Sequence, residues 1–168
     1  VNFTDCTALN NESTYLTSYE SNVTFNNCTF QSKEDCSSEF FESDGCAIFN
    51  NCSFSGESSL DYPHIVVDRG ELLVANSNFE NLTSKFATAI NYKGCNLTIS
   101  NSSFTNLNSD LSAGAVMAKF FPRSEDGDES NINNYSANDF VIDNCNFTKV
   151  SSTQDGGAVY VDLDSDCK

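Results

Sequence analysis

The chain has no tryptophan, one methionine, one histidine and two prolines, and it sets only eight basic residues against 24 acidic ones. Each shortage removes a class of reading. A formal charge of −16 repels nucleic acid and anionic lipid, so neither is an expected partner. One histidine and the absence of any Cys-x-x-Cys pair leave zinc without its usual ligands. No apolar run reaches the 18 or so residues of a membrane-spanning helix, so no membrane span is expected. The hydrophobic pattern carries no helical period either. What remains is an acidic, Asn-rich chain of 168 residues with 14 phenylalanines, enough to build one core.

The residues that are present repeat. The chain reads FNNCTF at 25–30 and FNNCSF at 49–54, then VANSNF from Val74, ISNSSF from Ile99 and IDNCNF from Ile142, with a degraded copy, FTDCTA, from Phe3. The steps between these starts are 22, 24, 25, 25 and 43 residues. A near-constant period in this range marks a solenoid. Before each hexapeptide stands a short alternating segment, such as NVTF, CNLTI or DFVI, in which every second residue is apolar. Asn27, Asn51, Asn76, Asn101 and Asn144 follow where the chain must bend, and Asn tolerates the left-handed conformation of a tight corner. A Cys or Ser and a Phe, two apart, then return to the interior. A third apolar segment comes some ten to twelve residues later, as in HIVV, TAINY, GAVMA and GAVYV.

Three short strands per 22–25 residues predict a right-handed parallel β-helix of six to seven coils, with Asn, Phe and Cys/Ser ladders running up the inside. One domain is expected over 1–168, with a polar loop inserted at about 119–138. The competing architecture, a β-sandwich with a chance repeat, does not require constant spacing. Because the chain opens mid-pattern at VNFTDC, it is expected to be a mature or excised part of a longer precursor.

GGAV at 156–159, AGAV at 113–116 and ATAI at 87–90 alternate with FENL at 79–82 and FTNL at 104–107. These resemble the Gly-Gly-Ala-Ile and Phe-x-x-Asn repeats of polymorphic membrane proteins, within the pectin-lyase-like β-helix superfamily, although the Asn here follows Phe after one residue rather than two. The resemblance implies a cell-surface stalk or adhesin, not an activity.

Eight cysteines, at 6, 28, 36, 46, 52, 95, 145 and 167, suggest an oxidising compartment. Cys6–Cys28 and Cys145–Cys167 are the expected bridges between neighbouring coils, with Cys28–Cys52 as an alternative; Cys36, Cys46 and Cys95 have no evident partner. A ladder of free buried thiols alternating with Ser is the competing account. Ten Asn-x-Ser/Thr sequons occur. Those at Asn27, Asn51 and Asn101 fall on the corner ladder, where a glycan would break the stack. Asn11, Asn22, Asn81, Asn96, Asn134 and Asn146 are the expected N-glycan carriers, on outward or loop positions of a secreted or cell-surface protein.

Catalytic chemistry has little to build on. His64 is alone, with no Ser or Cys tied to it by the sequence. The best candidate for a polysaccharide-processing enzyme is Asp61, Asp68 and Arg69, since lyases and hydrolases on β-helices use acidic clusters with a basic partner. Calcium has two candidate sites, Asp126 with Asp128 and Asp162 with Asp164 and Asp166, but neither matches an EF-hand loop. No cofactor is expected. The function expected is structural or adhesive, with end-to-end association between coils of this protein or its copies. An adhesin that binds glycan or protein through the 119–138 loop is a further alternative.

Overall fold

The computed structural model of the chain describes residues 1–10, 16–19, 21–32, 41–43, 45–56, 59–60, 63–120, 123–124, 135–136 and 139–163. The expected all-β solenoid is what the chain forms. Among these residues there is no helix, and the strands of the solenoid stack in parallel register. They make six rungs of three sides. The first is Asn2–Thr4, Thr7–Asn10 and Leu16–Ser18; the second is Val23–Asn26, Thr29–Ser32 and Phe41–Ser43. The last is Asp139–Asp143, Asn146–Ser152 and Val159–Leu163. In the middle the long strands Ile65–Ala75 and Ile90–Ser100 each run from the third side of one rung into the first side of the next.

The register shows why the sequence repeats. Phe3, Phe25, Phe49, Val74, Ile99 and Ile142 are successive partners in one column. Ala8, Phe30, Phe54, Phe79, Phe104 and Phe147 form a second. A third holds Leu16, Phe41, Ile65, Ile90, Val116 and Val159. Identical side chains therefore meet identical neighbours, and the rings stack nearly parallel. Phe54 and Phe79 have centroids 4.5 Å apart, Phe79 and Phe104 4.8 Å, and Phe104 and Phe147 4.7 Å. Each such pair adds about 0.5–1.5 kcal/mol beyond the area it buries.

The corners arise from a slip in the alternation of in and out. Phe25 is buried, Asn26 and Asn27 both face outward, and Cys28 is buried again. Two consecutive outward residues turn the strand, and the second of them takes φ near +50°: 55° at Asn27 and Asn51, 52° at Asn76, 49° at Asn101 and 50° at Asn144. Asp5 holds the same place in the first rung, at 54°. A second corner repeats the device, with φ of 57° at Asn81 and Asn106 and 53° at Lys149. There the apolar pairs Phe79 with Leu82 and Phe104 with Leu107 are also three apart.

A third corner carries the Gly-Ala motif at 113–115. Ala113, Gly114 and Ala115 are fully buried or glycine, and a Cβ on Gly114 would collide with the carbonyls of Gly157 and Ser151. Backbone passes too close to backbone here for any larger residue. At the start of the loop expected at about 119–138, Lys119 and Phe120 belong to the strand Val116–Phe120 and Phe120 is buried. Within it Arg123–Ser124 pairs antiparallel with Tyr135–Ser136.

Candidate functional site

The corner after the first side carries two ladders, one on each surface. The outer one is built from carboxamides. Asn51 Nδ2 donates to Asn27 Oδ1 at 2.7 Å, and Asn144 Nδ2 donates to Asn101 Oδ1 at 2.6 Å. At the bottom, Asn27 Nδ2 donates to Asp5 Oδ1 at 3.2 Å. In each of these bonds the donor is in the later rung and the acceptor in the earlier one. The residues of the expected Asn ladder, Asn27, Asn51, Asn76, Asn101 and Asn144, lie on the outside rather than the inside, and Asn76 departs from the run by giving its Nδ2 to Asn50 Oδ1 at 3.0 Å. All five residues are exposed, because the second residue of an outward pair lies on the convex side of the bend.

The inner ladder is Cys28, Cys52, Ser77, Ser102 and Cys145. Each of these side chains reaches back to the carbonyl two residues earlier: Cys28 Sγ to Asn26 at 3.3 Å, Ser77 Oγ to Ala75 at 2.8 Å, Ser102 Oγ to Ser100 at 2.8 Å and Cys145 Sγ to Asp143 at 3.3 Å. Ser77 Oγ and Ser102 Oγ also accept backbone N–H groups from the rung below, those of Cys52 and Ser77, each at 3.1 Å. The position wants a small side chain with one proton to give across the bend. Thiol and hydroxyl both fit.

This geometry corrects the expected disulfides. Cys6, Cys28, Cys52 and Cys145 are free thiols, so neither Cys6–Cys28 nor Cys28–Cys52 is bridged, and Cys46 Sγ gives its proton to Glu71 Oε2 at 3.5 Å. In-register parallel strands hold neighbouring Cβ atoms at the strand spacing, about 4.8 Å, with parallel Cα–Cβ vectors. A disulfide needs Cβ atoms that converge to roughly 3.5–4.5 Å. Burial pushes the Cys52 thiol up to about 11 and raises that of Cys28 as well. Cys36 and Cys167, and with Cys167 its pairing to Cys145, lie outside the described residues; Cys95 is described only in its backbone.

His64 takes the column that Ala89, Ala115 and Ala158 occupy in later rungs. It is fully buried, and its Nδ1 stands 2.9 Å from the Thr88 carbonyl, which fixes the proton on that nitrogen. Burial lowers its pKa to about 4, against the opposing pull of the bond to Thr88. The Thr88 hydroxyl beside it gives its proton to the Gly114 carbonyl. The ring packs the corner as a neutral group.

Of the acidic candidates, Asp68 and Asp162 are the ones described. Asp68 stands in an outward column with Lys93, Lys119 and Asp162 as its successive partners. Lys119 Nζ and Asp162 Oδ2 pair at 3.1 Å. Arg69 is described only in its backbone, and Asp61, Asp126, Asp128, Asp164 and Asp166 lie outside the described residues. Among the described residues no three His, Cys, Asp or Glu side chains converge as metal ligands.

The sequons divide by geometry. Asn22 and Asn146 are exposed, and the Thr148 hydroxyl of the second one's own sequon donates to Asn146 Oδ1 at 3.3 Å. Asn81 is exposed as well, but it is a member of the second corner, where its Oδ1 accepts Asn106 Nδ2 at 2.8 Å. Asn96 is half-buried and gives its Nδ2 to Glu71 Oε1 at 3.0 Å. Asn11 and Asn134 lie outside the described residues.

The last rung differs from those beneath it. Phe140 is 36% exposed above Leu97, which is fully buried, and Val161 is 37% exposed above the fully buried Ala118. Ile142, Phe147, Val150 and Val159 are likewise only partly covered. All six side chains point along inward columns, so the end of the core is open among the described residues. No signal in the sequence distinguishes this rung, because its residues obey the same pattern as the buried ones. No family model, characterised protein or solved structure matches the chain; what is shown is the fold, a parallel β-solenoid of the β-helix type.

Proposed function

We propose that the chain is a structural section of an extracellular or cell-surface β-helix whose coils continue by stacking end to end, on copies of itself or on further coils of the same protein. The open last rung is the observation that carries this reading. Among the described residues it presents an apolar cross-section, rimmed by strand edges, that another rung of similar outline would cover. The kinship suggested by the Gly-Ala and Phe-x-Asn motifs, with polymorphic-membrane-protein repeats, fits a stalk of this kind. N-glycans at Asn22 and Asn146 would sit on lateral faces and leave the stacking ends clear, in keeping with passage through a secretory pathway. A net charge of −16 keeps the sides of such rods apart in solution.

The test is sedimentation velocity of the purified chain over a range of concentrations at neutral pH, with negative-stain microscopy of the same samples. Growth in mass by whole protomers, into rods with an axial repeat of about 30 Å from six rungs at the strand spacing, is the expected result. A single monomeric species at the highest concentration reached would remove the proposal.

A further inference from the structure

A glycan on the corner sequons at Asn27, Asn51 and Asn101 would break an inner stack, but these carboxamides lie outside, and the three sites are not alike. Asn27 and Asn51 each give their Nδ2 to the rung below, to Asp5 Oδ1 at 3.2 Å and Asn27 Oδ1 at 2.7 Å. Asn101 takes part through its oxygen, which accepts Asn144 Nδ2 at 2.6 Å. Beneath it the run is interrupted, since Asn76 donates to Asn50 Oδ1 at 3.0 Å and not to Asn51. One residue accounts for the break. Asn50 Nδ2 donates to Asn26 Oδ1 at 3.4 Å in a column of their own, and the next member of that column is Ala75. Alanine has no proton to give to Asn50, so Asn76 supplies it. Asn101 is exposed, and its Nδ2 has no acceptor among the described residues.

We infer that Asn101, in the sequon Asn101-Ser102-Ser103, carries an N-glycan, and that the break beneath it is what lets the fold hold the sugar there. The inference rests on the extracellular reading, which takes the chain past the glycan transferase of a secretory pathway. In that reaction Nδ2 attacks the anomeric carbon of an oligosaccharide carried on a polyprenyl diphosphate. The N–C bond forms, the C–O bond to the diphosphate breaks, and Nδ2 loses one proton to the transferase as the lipid diphosphate leaves. The product carboxamide keeps its oxygen and one N–H. At Asn101 the oxygen is the group in use, so the bond from Asn144 survives. At Asn51 the nitrogen is in use, against an acceptor 2.7 Å away on a strand only about 4.8 Å distant, and a sugar on it would press on Asn27. Copies glycosylated at Asn51 have to fold around that clash, which depletes them from the folded protein. Asn27 and Asn51 also begin sequons on adjacent rungs and compete for one space. The column neighbours of Asn101 begin none, since Asn76-Ser77-Asn78 and Asn144-Cys145-Asn146 lack the hydroxyl.

The experiment is peptide mapping of the folded protein from the cells that make it, after enzymatic release of N-glycans in heavy-oxygen water. Each released Asn becomes a labelled Asp, so every site is read separately. The expected result is label on Asn101 in most copies, beside Asn22 and Asn146, and on Asn51 in few. Ser103→Ala takes the hydroxyl from the Asn101 sequon while leaving Asn101 and its bond to Asn144 in place; it should remove that label and the mass of one glycan. Ser53→Ala makes the same change in the Asn51 sequon and should leave the mass of the glycosylated protein nearly as it was. Label on Asn22 and Asn146 with Asn101 bare would overturn the inference and leave the extracellular reading standing. Asn51 labelled as fully as Asn101 would overturn it too, because the state of the carboxamide nitrogen would then make no difference. A chain without glycan at any site would remove both.

Discussion

The fifth and sixth rungs carry the same pattern of residues and live in different surroundings. Leu97, Ser102, Phe104 and Ala118 are buried between two neighbours. Among the described residues, their partners one step on, Phe140, Cys145, Phe147 and Val161, have a neighbouring rung on one side only and are partly open to solvent. In a solenoid the stability of a unit is its own contribution plus its contacts with the units on either side. A column residue is therefore worth what its rung allows, not what its identity suggests.

The largest effect that would sharpen this contrast is in the phenylalanine ladder. Phe79→Ala empties a site with a ring stacked on each face and should cost about 3–5 kcal/mol. Phe147→Ala removes the same side chain from the partly solvated end and should cost roughly 1–2 kcal/mol. Urea denaturation of the two variants measures both; equal losses would mean that the end rung is covered in solution.

The next effect concerns His64, a middle-rung residue in a column that alanine holds in the later rungs. Its neutral form is the one the fold holds, with the pKa lowered from 6.5 to about 4 by burial. Its contribution is complete above pH 6.5, declines as the pH falls and is spent near pH 4, amounting to at most about 3 kcal/mol. Thermal melts of wild type and His64→Ala between pH 7 and pH 4 should converge as the pH drops. A constant gap between the two would show that the ring does not titrate out of the core.

The smallest effect is at the inner corner. Cys52→Ser should change stability by no more than about 1 kcal/mol, because Ser77 and Ser102 already hold the same place with the same bond. Reaction with a maleimide should follow exposure, with Cys6 fast, Cys145 slower and Cys52 slowest, its thiol pushed up to about 11. A large loss for Cys52→Ser would mean that sulfur does more there than give a proton across the bend.

Much of this was legible in the sequence. The period, the inward columns and the left-handed Asn positions all follow from the spacing of Phe, Asn and β-branched residues. The side of the bend on which the Asn ladder runs did not follow. Period-two reasoning carries the alternation straight through a corner, whereas the real signal is an apolar pair three apart, as in Phe25 with Cys28. The same signal in Phe79 with Leu82 marks the second corner, which places Asn81, Asn106 and Lys149. Cys6–Cys28 and Cys28–Cys52 failed for a related reason: proximity of Cα atoms is visible in a repeat, but the parallel directions of stacked side chains are not. The open end has no local signature at all, since exposure there depends on what a rung has beside it.

Between Ile99 and Ile142 the repeat takes 43 residues instead of the usual 25 or fewer, yet Asn144 bonds Asn101 at 2.6 Å as Asn51 bonds Asn27 at 2.7 Å. The rung above the detour finds its register as if the extra chain were absent. The scaffold thus works as a socket: a foreign segment could be spliced between Phe120 and Asp139, and displayed from the side of the rod, without any change to the residues that hold the rod together.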